Sequence, residues 1–139
     1  MTGFEDLNLS VINEFRENGG KAGGMFEGKP LVLVHHVGAK SGVQRIAPLM
    51  PYLEGDRIFI FASKGGADTN PDWFHNLVAN PNTVVELGTE TIPVAAHVLT
   101  GEERDDIYAK QAEALPQFAE YQSNTTRQIP VVELERNSD

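Results

Sequence analysis

The stretch from Leu31 to Asn80 constrains the chain most, because its first strands are joined by turns too short to hold a crossover helix. Leu31-Val32-Leu33-Val34-His35-His36-Val37 is largely β-branched and apolar, and the turn Gly38-Ala39-Lys40-Ser41-Gly42 follows it, the pattern of a buried strand. Gln44 to Leu53 and Arg57 to Ser63 read as two more strands around the hairpin turn Glu54-Gly55-Asp56. A glycine loop, Ser63-Lys64-Gly65-Gly66, leads to a helix opened by Asn70-Pro71 and broken at Asn80-Pro81. Asn70 is expected to cap that helix, with Trp73, Phe74, Leu77 and Val78 on its inner side.

Towards the N-terminus, Leu7, Val11, Ile12 and Phe15 recur at helical spacing and predict a short helix from Asn8 or Ser10 to about Asn18, packed as a flap on the body. Its acidic polar face weakens a membrane-surface role. Residues 19–30 are glycine-rich and expected to be mobile. Beyond Asn80, Thr83–Leu87 and Thr91–Leu99 form a hairpin around Gly88, and Thr100 with Glu103 has the pattern of a capping box for a helix over roughly 101–114. Pro116 starts a short turn carrying Phe118 and Tyr121, and Ile129-Pro130-Val131-Val132-Glu133-Leu134 is expected to close the sheet as an edge or final strand. Five or six mostly antiparallel strands, with a few helices between hairpins, spell a small α+β barrel in one domain of 139 residues. No GxGxxG and no strand-helix-strand alternation support a dinucleotide fold, and Gly38-Ala39-Lys40-Ser41 lacks the upstream glycine of a Walker loop.

Charge narrows the ligand. The chain carries a net −9, yet residues 21–64 hold six cations (Lys21, Lys29, Lys40, Arg45, Arg57, Lys64) against three anions (Glu27, Glu54, Asp56), leaving −12 elsewhere. An acidic surface repels nucleic acid, whereas a local cationic patch suits a small anion. With no cysteine there is no disulfide or thiolate chemistry, so the cytoplasm is the expected compartment, and no apolar run is long enough to cross a bilayer.

Lys40, Arg45 and Lys64 lie on neighbouring turns or strand ends and can converge, Arg as a bidentate fork and Lys as a point charge; the alternative is a set of solvated charges. His35 and His36 alternate across a strand and cannot share a metal, and no Ser-His-Asp set is present, so no metal and no hydrolytic centre is expected. A site with few acid-base groups, several glycines and nearby aromatics points to a bound cofactor as the reacting group.

The ordered motifs are more specific. Gly38-x-Lys40-Ser41-Gly42, Arg45, Pro48-Leu49, Ser63-Lys64-Gly65-Gly66-Ala67, Asn70-Pro71-x-Trp73-x-x-Asn76-Leu77-x-Ala79-Asn80-Pro81, and Tyr121-Gln122 through Arg127-x-Ile129-Pro130-Val131 follow one another over about residues 25–136. Together they resemble the deazaflavin (coenzyme F420)-dependent nitroreductase and quinone reductase family. The resemblance implies a split β-barrel akin to the FMN-binding split barrels, with residues 25–136 as the barrel and 1–24 as an N-terminal appendage. It also implies reduced coenzyme F420 as hydride donor and a quinone, enone or nitro compound as acceptor.

By that likeness Ala39, Lys40, Ser41, Gly42 and Arg45 would hold the phosphate and oligoglutamate tail. The backbone of Ala47, Pro48, Leu49 and Met50 would lie beside the ring, with Ile46 also among the cofactor-binding residues. Ala62, Ser63, Lys64 and Gly65, with Asp72, Trp73, Phe74, His75 and Asn76, would complete the cofactor wall. Where the family commonly places tyrosines three apart in its substrate pocket, this chain has Leu115, Phe118 and Tyr121, so Tyr121, aided by Ser63, is the candidate proton donor. An F420 carrier without turnover, and an FMN-binding barrel enzyme, are the alternatives; monomer and homodimer are both open, as is contact with the membrane periphery.

Overall fold

The computed structural model describes residues 3–20 and 30–137; the expected glycine-rich link falls mostly on 21–29, outside the described residues. The elements run α1 (Gly3–Glu17), β1 (Val32–Val37), β2 (Gln44–Leu49), β3 (Tyr52–Glu54), β4 (Arg57–Phe61), a 3-10 turn (Lys64–Gly66), α2 (Asp72–Ala79), β5 (Asn82–Leu87), β6 (Glu90–Val98), α3 (Gly101–Ala114), α4 (Gln117–Ser123) and β7 (Val131–Arg136). All strand pairs are antiparallel, in the order β2-β1-β5-β6-β7-β4-β3.

That order contains the barrel. β2 and β3 occupy opposite ends of the sheet, yet only Met50 and Pro51 separate them in sequence. Three Cα–Cα steps span at most about 11 Å. Seven strands laid flat would put their outer members roughly 29 Å apart. The sheet therefore has to curl until its two ends meet at the Met50-Pro51 corner, which gives a split barrel. The single strand expected over Gln44–Leu53 is thus two strands on opposite edges, and the strand count is seven among the described residues.

Alternation along the strands sorts the core into an interior and two outer patches. Val32 and Val34, Ile58 and Ile60, and Val132 and Leu134 point into the barrel, where Trp73 and Leu77 of α2 plug one opening. On the opposite face of β1, Leu31 and Leu33 with Ile46 receive Val11, Ile12 and Phe15 of α1. Phe59, Phe61 and Val131 are covered by Ile107 and Tyr108 of α3 and Phe118 of α4. The flap expected at the N-terminus is α1; it begins earlier than its apolar periodicity indicates, and Arg16 pins it by two hydrogen bonds to Glu86, at 2.9 and 2.6 Å. The same carboxylate meets His35 Nε2 at 2.7 Å, and the Arg16 guanidinium holds it below the usual carboxylate range. No helix among the described residues is long and apolar enough to cross a membrane.

Several local expectations change. β7 is the final strand, as expected, but it is central, between β6 and β4, and no edge strand: Pro130 stops short of the ladder and so does not bar that place, accepting at its carbonyl from the Ala62 amide at 3.0 Å. α3 spans 101–114 as read, but Thr100 makes no side-chain cap; Glu103 instead turns to Arg57, at 3.3 Å. Asn70 caps nothing either, since its Oδ1 accepts from Arg127 and Pro71 takes the N-cap position. On α2, Val78 is 57% exposed, and the inward position is taken by polar Asn76.

That asparagine is buried for a reason. Its Oδ1 accepts from the Ala39 amide at 2.9 Å, which aims its Nδ2 at His36 Nδ1, also 2.9 Å away. His36 is consequently a neutral acceptor at Nδ1, and burial, followed by the Arg45 charge, lowers its pKa. Because the folded value lies below the unfolded 6.5, this contribution to stability is complete above pH 6.5 and lost as pH falls from there through the depressed value. Urea denaturation between about pH 8 and about pH 5.5 should show stability falling on acidification, and His36→Gln should flatten that slope.

Candidate functional site

A cavity of about 220 Å³ opens beside the Met50-Pro51 corner, where the barrel closes without a shared ladder. Pro48, Leu49 and Met50 bring the free side of β2 to it, and a proline on this edge strand removes no ladder bond. Phe61, Ser63 and Lys64 come from the end of β4 and the 3-10 turn. Pro71 and Trp73 come from the start of α2, and Gln117, Phe118 and Tyr121 from α4. The result is an apolar, aromatic slot with four polar side chains, Ser63, Lys64, Gln117 and Tyr121, on its rim.

The rim is held by its neighbours. Tyr121 packs edge-on against Phe118, 5.2 Å between centroids, and Phe118 against Phe61 at 5.5 Å. The buried Tyr108 phenol, pushed up to about 12 by desolvation, donates to the Phe118 carbonyl at 2.6 Å. Gln117 Nε2 reaches the Tyr121 hydroxyl at 3.5 Å. Lys64 adopts a left-handed φ of +48° and extends Nζ to Thr69 Oγ1 at 3.2 Å. Next to it Gly66 (φ +87°) touches α4 so closely that a Cβ there would lie 2.9 Å from the Tyr121 carbonyl. Only glycine lets the loop and the helix approach this far.

The cationic turn adjoins this cavity along α2. The Ala39 amide is bound to Asn76, and Asn76 lies three residues beyond Trp73, about 4.5 Å along the helix axis. The turn itself is closed by Gly42 N–H to the Gly38 carbonyl at 3.0 Å and by Val43 N–H to Ser41 Oγ at 3.2 Å. Arg45 stands opposite His36 in the β1–β2 register, so it shares a face with the histidine that touches α2. Lys40 and Arg45 are both exposed.

The structure therefore brings together Pro48, Leu49, Met50, Ser63, Lys64, Trp73, Phe118 and Tyr121. Ala39 is bound to Asn76 on α2, and Arg45 stands opposite His36 on β2; of the three cations expected to converge, Lys64 lines the cavity while Lys40 and Arg45 lie outside its lining. Other expected positions point elsewhere. Leu115 packs into the α3–α4 patch and is no part of the cavity lining, because it sits in the bend before α4 and α4 turns only Gln117, Phe118 and Tyr121 to the cavity. Ile46 packs under α1; Ala62 is buried at the end of β4; Phe74 lines a separate groove with Val78 and Val98. Asp72 and His75 are exposed on α2. Gln117 was not among the expected site residues, though its place one residue before Phe118 on a short helix is the signal that could have found it. Arg127 belongs to the last of the ordered motifs but has no expected role there; its guanidinium binds the Ser63 carbonyl, the Ala67 carbonyl and Asn70. No group of three or more His, Asp or Glu among the described residues is placed to hold a metal.

Comparison with known proteins identifies the family and the fold. The family described as F420H(2)-dependent quinone reductase matches residues 9–136. An F420H(2)-dependent quinone reductase of Mycobacterium tuberculosis is 35% identical over 128 residues, covering 88% of this chain and 85% of the relative. Among solved structures, an F420-H2 dependent reductase, FDR-A, is 43% identical with a TM-score of 0.70, covering 76% of this chain and 94% of that one. A second, described as a domain-swapped dimer, is 36% identical with a TM-score of 0.73 and covers 96% and 100% of the two chains. By both sequence and fold, this chain belongs to the F420H(2)-dependent quinone reductase family.

Proposed function

We propose that this chain reduces a quinone with reduced coenzyme F420 at the cavity between the β2 edge and α4. The observation that carries the reading is the meeting of an aromatic slot with a cationic turn on one short helix, α2. A deazaflavin is a flat, mainly apolar ring with polar edges and an anionic tail. The donor set fits both parts. Pro48, Leu49 and Trp73 offer flat apolar surface, Ser63 and Lys64 offer donors at its margin, and Lys40, Ser41 and Arg45 offer charge and hydroxyl for phosphate and carboxylates. When bound, the reduced deazaflavin supplies a hydride, two electrons with one proton.

The protein's own task is to exclude water, orient the acceptor and deliver the remaining proton. Phe61, Trp73 and Phe118 make the slot apolar enough to take a quinone ring. A carbonyl directed at the rim meets the Tyr121 hydroxyl, which donates to the oxygen as negative charge develops there, and Ser63 provides a second donor. Enones present one such carbonyl and fit the same reading. Nitro compounds need more donors, and Phe118 stands where a further phenol would supply one. The 36% identical relative described as a domain-swapped dimer supports a homodimer as the assembly.

Two substitutions separate binding from turnover. Arg45→Ala should weaken F420 affinity by about 1.5–3 kcal/mol, the range for losing a charge-assisted contact, as read by fluorescence titration. Tyr121→Phe should lower kcat with menadione about 10- to 100-fold while leaving F420 affinity within about a factor of two. Equal turnover by Tyr121→Phe and the parent protein would remove Tyr121 as proton donor.

A further inference from the structure

We infer that Arg127 is a positioning residue that sets the separation between the two polar walls of the cavity, the Ser63-Lys64 turn and the Tyr121 helix. The inference rests on reading this cavity as the reductase site.

The guanidinium spends three different N–H groups on one loop. Nε donates to the Ala67 carbonyl at 2.8 Å, one terminal nitrogen to Asn70 Oδ1 at 2.7 Å, and the other to the Ser63 carbonyl at 3.0 Å. Residues 63–70 contain no regular element beyond the single 3-10 turn, so their course depends largely on side-chain ties of this kind. Arg127 is in turn tied to α4. Its own carbonyl accepts from Gln122 Nε2 at 2.8 Å, and Gln122 is the residue after Tyr121. Gln122 Oε1 is held by Arg104 at 2.7 Å and by the Ile129 amide at 3.0 Å. A second tie, Thr125 Oγ1 to Asp68 at 2.9 Å, runs parallel.

These bonds draw the loop toward α4, and a hard contact stops it. Gly66 already abuts the Tyr121 backbone, where an added Cβ would meet the carbonyl at 2.9 Å. Pull on one side and contact on the other define a single distance. The left-handed Lys64 lies immediately after the clamped Ser63 carbonyl. Such a backbone persists only where its surroundings over-determine it. Arginine suits the task because its planar fork addresses several acceptors in fixed directions, whereas a lysine ammonium replaces only part of that set.

The test compares the parent protein with Arg127→Met and Arg127→Lys by hydrogen exchange, F420 titration and steady-state kinetics with menadione. In Arg127→Met the amides of residues 64–70 should exchange at least about tenfold faster while those of β1 and β6 keep their protection. Its kcat should fall about tenfold or more, with KM for menadione and F420 affinity each within about threefold, and Arg127→Lys should lie between the two. Unchanged exchange over 64–70 in both variants would overturn the clamp. Faster exchange with an unchanged kcat would reduce Arg127 to a structural residue and equally overturn its positioning role. A parent protein that binds no F420 would sink the reductase reading, and the exchange comparison would still decide the clamp.

Discussion

Closure of the sheet through Met50 and Pro51 is the constraint on which the rest of this molecule depends. A two-residue corner joins the two ends of a seven-stranded sheet, so curvature is imposed by chain connectivity as well as by strand twist. The corner also creates the opening. Where β2 ends and β3 begins the ladder is interrupted, and backbone and side chains of Pro48 to Met50 are left for a ligand. A closed barrel of this size would fill its interior with side chains alone. Here that interior is filled by strand side chains with Trp73 and Leu77, and the cavity lies at the seam.

Around that seam, hydrophobic packing and polar tethers divide the work. The strands and α1, α2 and α3 are fixed by buried apolar faces, as Phe15, Leu77 and Ile107 show. Two connecting segments are held in addition by arginines donating to carbonyls, Arg104 to Ile129 and Arg127 to Ser63 and Ala67. Arg104, only 7% exposed, gives two hydrogen bonds to the Ile129 carbonyl and stacks 4.6 Å from the Tyr108 ring centre. Charge-assisted bonds of this kind are stronger than neutral ones and directional. They fix a loop that borders the cavity on one side.

Much of this was legible from residue pattern. Alternation in Leu31–Val37 placed His35 and His36 on opposite faces, and they are found on Glu86 and Asn76 respectively. The hairpins about Gly55 and Gly88 and the span of α3 follow directly from turn chemistry and helical periodicity. Pro48, Ser63, Trp73 and Tyr121 were picked out by motif and do meet in one cavity. What failed depended on contacts distant in sequence. Thr100 and Asn70 have the right chemistry for caps, but partners more than thirty residues away, Arg57 and Arg127, claimed Glu103 and Asn70. Leu115 fits a three-residue spacing yet lies before the helix that faces the cavity. No local signal tells that β7 inserts between β6 and β4, because strand order is decided by the whole barrel.

The central place of β7 has a consequence for how the chain assembles. It is the last of the seven strands to leave the ribosome, yet it bridges two blocks, β2-β1-β5-β6 on one side and β4-β3 on the other. Until residues 131–136 emerge, β4 and β6 each present an unpaired rim of amides and carbonyls, an invitation to pair with another nascent copy. Assembly of this fold is therefore governed by the most distant partner in the chain, and the interval before its arrival is when the protein is most open to exchanging strands between molecules.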